Sequence, residues 1–201
     1  MKNFDNKFLS DKIKLIAGTD EAGRGPLAGP VVAAAVVFPP DTFIENINDS
    51  KKLSEKEREH LYPIILEKAL AVGVSVISNK KIDKINILQA SLLAMRKSVD
   101  KLKVKPDLIL VDGNKTFNNE IPIKAIVKGD SKSFCIAAAS IVAKVTRDNI
   151  MKKLHQKHPE YLWHKNKGYP TREHIRIIKQ NGITDFHRRS FLKGILPDEF
   201  I

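Results

Sequence analysis

The chain reads as an α/β domain. Its sheet is mixed, antiparallel at the start and parallel later, flanked by helices and followed by a small, basic, helical C-terminal extension. Three observations predict this. Two apolar runs stand on either side of a glycine-rich turn near the N-terminus. Beyond them, short strand-like runs alternate with stretches of helical period. No repeat or low-complexity block interrupts the 201 residues, a length that fits one domain and suffices to bury a core.

"KLIAGTD" and "GPVVAAAVVF" form an antiparallel hairpin around the turn, and "PPDTF" closes it. "LSEKEREHLYPIILEKAL" is a helix, with Ser54 as N-cap and Glu57 completing a capping box; Pro63 is expected to kink it. "AVGVSVIS" is a third strand, apolar at Val72, Val74 and Val76. "KIDKINILQASLLAMRKSVDKL" reads as one helix, since Ile85, Leu88, Leu92, Met95 and Val99 fall at steps of three and four. "PDLILVDG" is a buried strand running up to Asp112, and "IPIKAIVKGD" a shorter one ending near Asp130. "SFCIAAASIVAKVTRDNIMKKLHQK" is a long helix whose small residues allow close packing on the sheet. "HPEYLWHKNKGYP" reads as a loop leading into a short helix that Thr171 caps and Gly182 ends. The N-terminal "MKNFDNKF" fits no element.

Composition narrows the function. Hydrophobic residues at 42% and charged residues at 29% suit a globular protein, and no apolar run approaches a membrane span. The N-terminus lacks the apolar core of a secretory signal. Cys135 is the only cysteine, which excludes an intrachain disulfide and a cysteine-based zinc site and reads as a buried small hydrophobe. These features point to the cytoplasm. The net charge is +12, and residues 151–201 hold eleven Lys and Arg against five Asp and Glu. A lysine-rich genome explains a uniform excess better than a cluster. Such a cluster attracts polyanions: nucleic acid or an anionic membrane surface.

The acids terminate strands. Asp20 and Glu21 end the first, Asp112 ends "LILVDG", and Asp130 follows "IVK". Singly, each is a turn former or a helix cap. Together they make an oxygen-rich cluster without histidine or cysteine, suited to Mg²⁺ or Mn²⁺, and two such ions clamp the attacking and leaving oxygens of a phosphodiester. Adjacent strand residues face opposite ways, so Asp20 and Glu21 share one site only if the strand ends or bulges there.

Gly23, Gly25 and Gly29 do not spell the dinucleotide fingerprint, and a strand follows them rather than a helix; no P-loop is present. What remains is a tight turn that approaches a ligand closely, with Arg24 beside it. Ser50 and Lys51, just before a helix, form either a phosphate site or a solvated loop. Tyr169, among His164, Lys165 and Lys167, either stacks on a base or sugar or simply packs. Asp148 is expected to pair with a neighbouring base on its helix. Trp163 reads as core.

With these residues in view, the chain resembles bacterial ribonuclease HII, the type 2 ribonuclease H, from about Leu15 to about Phe191. "DEAGRGPLAGPVV", "NDSKKLS", "NILQASLLAM", "VDGN", "VKGDS", "AAASIVAKVTRD", "KGYPT" and "HRRSF" occur in that family's order. One departure is Ala137, where the family typically has serine. The resemblance implies a ribonuclease H-like fold, with a catalytic domain at 1–158 and the extension at 159–201. It implies hydrolysis of the RNA strand of RNA–DNA hybrids, including a single ribonucleotide in duplex DNA. Divalent-metal-assisted attack of water would leave 5′-phosphate and 3′-hydroxyl ends. By motif, Asp20, Glu21, Asp112 and Asp130 would be the catalytic carboxylates, the first three as metal ligands. Gly23, Arg24 and Gly25 would read the ribose 2′-hydroxyl, the group that separates RNA from DNA. Tyr169 would pack on the neighbouring deoxyribose, and Ser50 and Lys51 would hold phosphates, with His174 near the strand. A monomer is the default. Two rivals stand beside this reading. A binding protein with a dead site would lack an acid, and none is missing. A nuclease indifferent to the sugar would not need the turn.

Overall fold

The computed structural model describes residues 1–47 and 50–197; Asn48 and Asp49 of the predicted phosphate loop, and the last four residues of the tail, lie outside them. A short helix α1 (Lys2–Asn6) comes first, where the sequence pattern indicated no element. Strands β1 (Ile16–Ala22) and β2 (Val31–Val37) then form the expected hairpin. Helix α2 (Glu55–Lys68) has both hydrogen bonds of its Ser54/Glu57 capping box and runs unbroken through Pro63. After β3 (Ala71–Ile77) come α3 (Asn79–Ile85) and α4 (Ile87–Val99). The single helix expected here is two. Asn86 stands between them at φ 63°, and its side chain caps the second helix by accepting from Gln89 N. Strands β4 (Leu108–Asp112) and β5 (Ile123–Ile126) follow, then a 3₁₀ turn at Gly129–Ser131 and the long helix α5 (Phe134–Lys157).

The sheet order is β3-β2-β1-β4-β5. β3, β2 and β1 pair antiparallel; β1, β4 and β5 pair parallel. Helix α4 covers one face, over Ala33, Ala35, Val37, Ile109 and Val111. Helices α5 and α2 cover the other, over Ala34 and Val36. β2 is buried along its whole length. β3 lies where expected, but its better buried side is not the valine side: Ala71, Gly73, Ser75 and Ile77 are buried, while Val72 and Val74 are half-buried and Val76 is exposed. The small residues admit α4 close to this edge of the sheet.

Helix α5 packs tightly on β1. A Cβ on Gly18 would come within 2.2 Å of the Cys135 backbone, so only glycine allows this approach. The start of α5 is held twice. Ser133 Oγ accepts from Ile136 N at 3.2 Å, and Asp5 of α1 accepts from Cys135 N at 3.0 Å. The unassigned N-terminus therefore clips the first turn of the central helix. Cys135 is buried, as expected, and burial pushes its thiol well up.

The stretch read as a loop after α5 is largely helical: a 3₁₀ turn at Pro159–Tyr161, then α6 (Trp163–Asn166). Then come α7 (Arg172–Asn181), with the predicted Thr171 cap and Gly182 end, and α8 (Arg189–Leu192). Tyr161, Trp163, Ile177, Ile178 and Leu192 form a small core that also takes in Met151 of α5 and Leu27 and Ala28 of the glycine loop. Among the described residues, no helix is long and apolar enough to cross a membrane.

Candidate active site

Parallel pairing brings the acids together. β4 pairs with β1 up to Thr19 and Val111, which sets Asp112 beside the end of β1. β5 pairs with β4 up to Asp112 and Ile126, and the 3₁₀ turn beyond it returns Asp130 to the same end. Gly129 N donates to Asp112 Oδ1 at 2.7 Å and locks that turn onto the carboxylate. One oxygen each from Asp20, Asp112 and Asp130 then lie within 4.8 Å of one another. This is the carboxyl end of the parallel strands, where open α/β sheets build their sites.

Glu21 stands differently. β1 neither ends nor bulges at Asp20; its pairing with β2 stays regular through Ala22 and Val32. Asp20 therefore shares the α5 face with Ala34, and Glu21 the α4 face with Ala33. Glu21 lies outside the tight group of three, yet it lines the same cavity, and Arg24 Nη1 reaches it at 3.4 Å.

The electrostatics of this cluster are strained. Burial, then the negative charges of Glu21 and Asp112, push Asp20 well above the usual carboxylate range. Burial and Asp112 raise Glu21 against the opposing pull of Arg24; burial and Asp130 raise Asp112. Lys51 Nζ donates to Asp130 Oδ2 at 2.8 Å. Crowded, buried carboxylates of this kind need cations or protons. A donor set made only of carboxylate oxygen fits a hard divalent cation and not a thiophilic one.

A cavity of about 530 Å³ opens over the acids. Of the ten residues given a catalytic or substrate-binding role from the sequence, Asp20, Glu21, Gly23, Arg24, Gly25, Ser50, Lys51, Asp112 and Tyr169 line it, and Asp130 lies just behind, within reach of Lys51. Tyr169 stands over the turn, 3.6 Å from where a Cβ on Gly25 would be, with Lys144 Nζ and Arg147 Cζ 5.9 and 5.8 Å from its ring centre. Gly23 has φ 102°, and a Cβ there would strike Arg147 Nε at 2.1 Å, so both backbone and space demand glycine. Ser50 is buried, its hydroxyl 2.7 Å from that of Ser140, and Ser140, beside Asp20, partly offsets the upward push on that carboxyl.

Ser140 and Lys144, both lining the cavity, received no role from the sequence, and neither did the buried Arg147. Their signal was present: Ser140, Lys144, Arg147 and Asp148 fall on one polar stripe in a stretch of α5 that is mostly small and apolar up to Val145. Asp148 takes the helical partner expected of it, Lys144 Nζ at 2.7 Å. His174 does not lie at the cavity. It is buried in the extension, accepting from Trp163 Nε1 at 3.1 Å, so its Nδ1 carries the proton and donates to Tyr169 O at 2.9 Å.

Sheet order, carboxylate cluster and overlying glycine turn define a metal-dependent nuclease of the ribonuclease H type. The ribonuclease HII family model matches residues 17–193. The ribonuclease HII of Acetivibrio thermocellus is 54% identical over 183 residues, covering 91% of this chain and 72% of that protein. That of Clostridioides difficile is 52% identical, covering 96% and 76%. The crystal structure of the ribonuclease H2 of Pyrococcus horikoshii superposes with a TM-score of 0.73 at 30% identity, covering 90% of this chain and 96% of that one. The chain belongs to the ribonuclease HII family, metal-dependent endoribonucleases that cleave the RNA of RNA–DNA hybrids.

Proposed function

We propose that this protein cuts at ribonucleotides, down to a single one embedded in duplex DNA, and leaves 5′-phosphate and 3′-hydroxyl ends. The observation that carries this reading is one cavity lined by both strand-end carboxylates and the glycine turn. Asp20, Glu21, Asp112 and Asp130 are the catalytic carboxylates. Asp20, Glu21 and Asp112 would hold Mg²⁺ or Mn²⁺, with Asp130 beside them. When bound, such a cation supplies Lewis acidity and neutralises charge developing on the phosphate. The chain's own residues do the rest. Ser140, held by Ser50, stands beside Asp20 and favours its charged form. The turn at Gly23, Arg24 and Gly25 reads the 2′-hydroxyl. Tyr169 packs on the adjoining deoxyribose and checks the junction between RNA and DNA. Lys51 and Ser50 flank the phosphate path. Residues 1–158 form the catalytic domain, and 159–201 the extension packed on it. The protein acts as a monomer in the cytoplasm, without a membrane partner.

The test uses a DNA duplex with one ribonucleotide, Mg²⁺, an Asp20→Asn variant and an all-DNA control. Cutting only at the ribonucleotide, lost in the variant, is the expected result. Cutting of all-DNA would discard the sugar reader. Tight binding without cutting in either metal would mean a dead site.

A further inference from the structure

Two arginines in this chain are completely buried, and among the described residues neither forms an ion pair with an acid. Arg147 of α5 donates to Pro30 O, Lys167 O and Ala28 O at 3.0, 3.0 and 3.2 Å. Arg188, just before α8, donates to Gly29 O, Arg24 O, Gly23 O and Pro30 O at 3.0, 3.0, 2.7 and 3.1 Å. Both guanidiniums thus grip the backbone of loop 23–30 from behind. Burial, with Arg147 alongside, draws Arg188 down to about 9, and it stays protonated at neutral pH.

This grip sets the direction of two amides. Among the described residues no peptide bond is cis, and in a trans peptide the C=O and N–H point opposite ways. The Gly23 carbonyl shares its plane with the Arg24 N–H, and the Arg24 carbonyl shares its plane with the Gly25 N–H. Arg188 holds both carbonyls, so both N–H groups point away from it. Arg188 lies behind the loop, while Gly23, Arg24 and Gly25 line the cavity in front. Among the described residues, neither amide donates to a protein acceptor. The result is a pair of adjacent donors, backed by a fixed positive charge and presented to whatever oxygen enters the cavity.

We propose that Arg188 is a positioning residue for sugar selection: by holding the Gly23 and Arg24 carbonyls it aims the Arg24 and Gly25 amides at the ribose 2′-oxygen. The inference rests on the 2′-hydroxyl reading of the turn proposed above. Arg147 shares Pro30 O with Arg188 but takes neither the Gly23 nor the Arg24 carbonyl, and serves the loop's stability. Lysine at 188 keeps the charge but not the planar fork that spans Gly23 to Pro30.

The experiment compares the parent, Arg188→Lys and Arg147→Lys on duplexes carrying a ribo-, 2′-deoxy- or 2′-fluoro-nucleotide at one position. Each protein's thermal midpoint is also recorded. For Arg188→Lys, kcat at the ribonucleotide should fall about 10- to 100-fold, as slight misplacement of a positioning contact does, while KM changes less than about threefold. Its preference for ribo over 2′-deoxy should shrink by a similar factor. Arg147→Lys should lower the thermal midpoint at least as much and keep the preference. A parent that cuts the 2′-deoxy duplex as fast as the ribo duplex would sink the reading of the turn itself. A discriminating parent whose Arg188→Lys variant keeps both kcat and preference would sink the clamp alone. If neither Arg188→Lys nor Arg188→Gln folds, Arg188 is a determinant of the fold and the proposal falls.

Discussion

Asp20 shows how much one side chain can gather. It lies near the end of a buried strand, is itself buried, faces Asp112 and Asp130 within 4.8 Å and has Ser140 beside it. Its place was legible because each acid of the cluster closes an apolar run. The separation of Glu21 from the tight group was not, because it depends on β1 staying regular where the glycines allowed a bulge. Nor was the Ser50–Ser140 pair, whose partners are 90 positions apart. Tyr169 was legible as an aromatic among basic residues, and its ring is partly open to solvent above the turn. Tyr169→Ala should weaken cleavage at a single ribonucleotide by about 1–3 kcal/mol, the usual worth of an aromatic platform, or roughly 5- to 150-fold in kcat/KM. Equal kcat/KM values for variant and parent would reduce Tyr169 to a packing residue.

Among the elements, those that carry their own end signals were readable. Helix α2 begins where Ser54 and Glu57 exchange hydrogen bonds, with Glu57 N donating to Ser54 Oγ at 3.3 Å and Ser54 N to Glu57 Oε2 at 2.6 Å. Ser54→Ala should cost about 1 kcal/mol in denaturant unfolding and leave cleavage unchanged. A cost near zero would mean that the loop before α2 caps it by other means. The break at Asn86 escaped detection because the apolar steps continue across it. What interrupts the helix is a backbone angle, φ 63° with ψ 167°, which glycine adopts freely and asparagine only under tertiary constraint. The inverted burial of β3 escaped for a related reason. Alternation reveals that a strand has two faces, but the neighbouring helix decides which is covered more deeply. Helix α1 has too few residues to signal itself; its anchor is the long-range bond from Cys135 N to Asp5.

At the level of the whole molecule, the basic tail predicted a nucleic-acid partner but not the histidine cluster inside it. His187 is buried in the extension, its Nδ1 accepting from Thr184 N at 2.9 Å, with the His174 ring centre 5.5 Å away. Burial, then His174, lower His187 from 6.5 to about 3. Above pH 6.5 the group is neutral in both folded and unfolded chains. Below that, the unfolded chain takes up a proton that the folded one refuses until about pH 3. Stability should therefore fall with acidification across that window, by at most about 1.4 kcal/mol per pH unit from this group. Unfolding midpoints at pH 7 and pH 5 measure the loss, and His187→Asn should narrow it; an unchanged difference would remove His187 as the cause. The same extension closes on the glycine loop. Leu27 N donates to Gly168 O at 2.7 Å, Gly29 N to Phe186 O at 2.9 Å, and Arg188 N to Leu27 O at 2.7 Å. These contacts tie the loop near the start of the chain to segments near its end, which has a consequence for biosynthesis. On the ribosome the strands bearing Asp20 and Asp112 emerge well before position 188. A nascent or prematurely terminated chain thus carries these acids before it carries the bonds that seat the loop above them, so the sugar discrimination proposed for that loop would be among the last properties the growing polypeptide acquires.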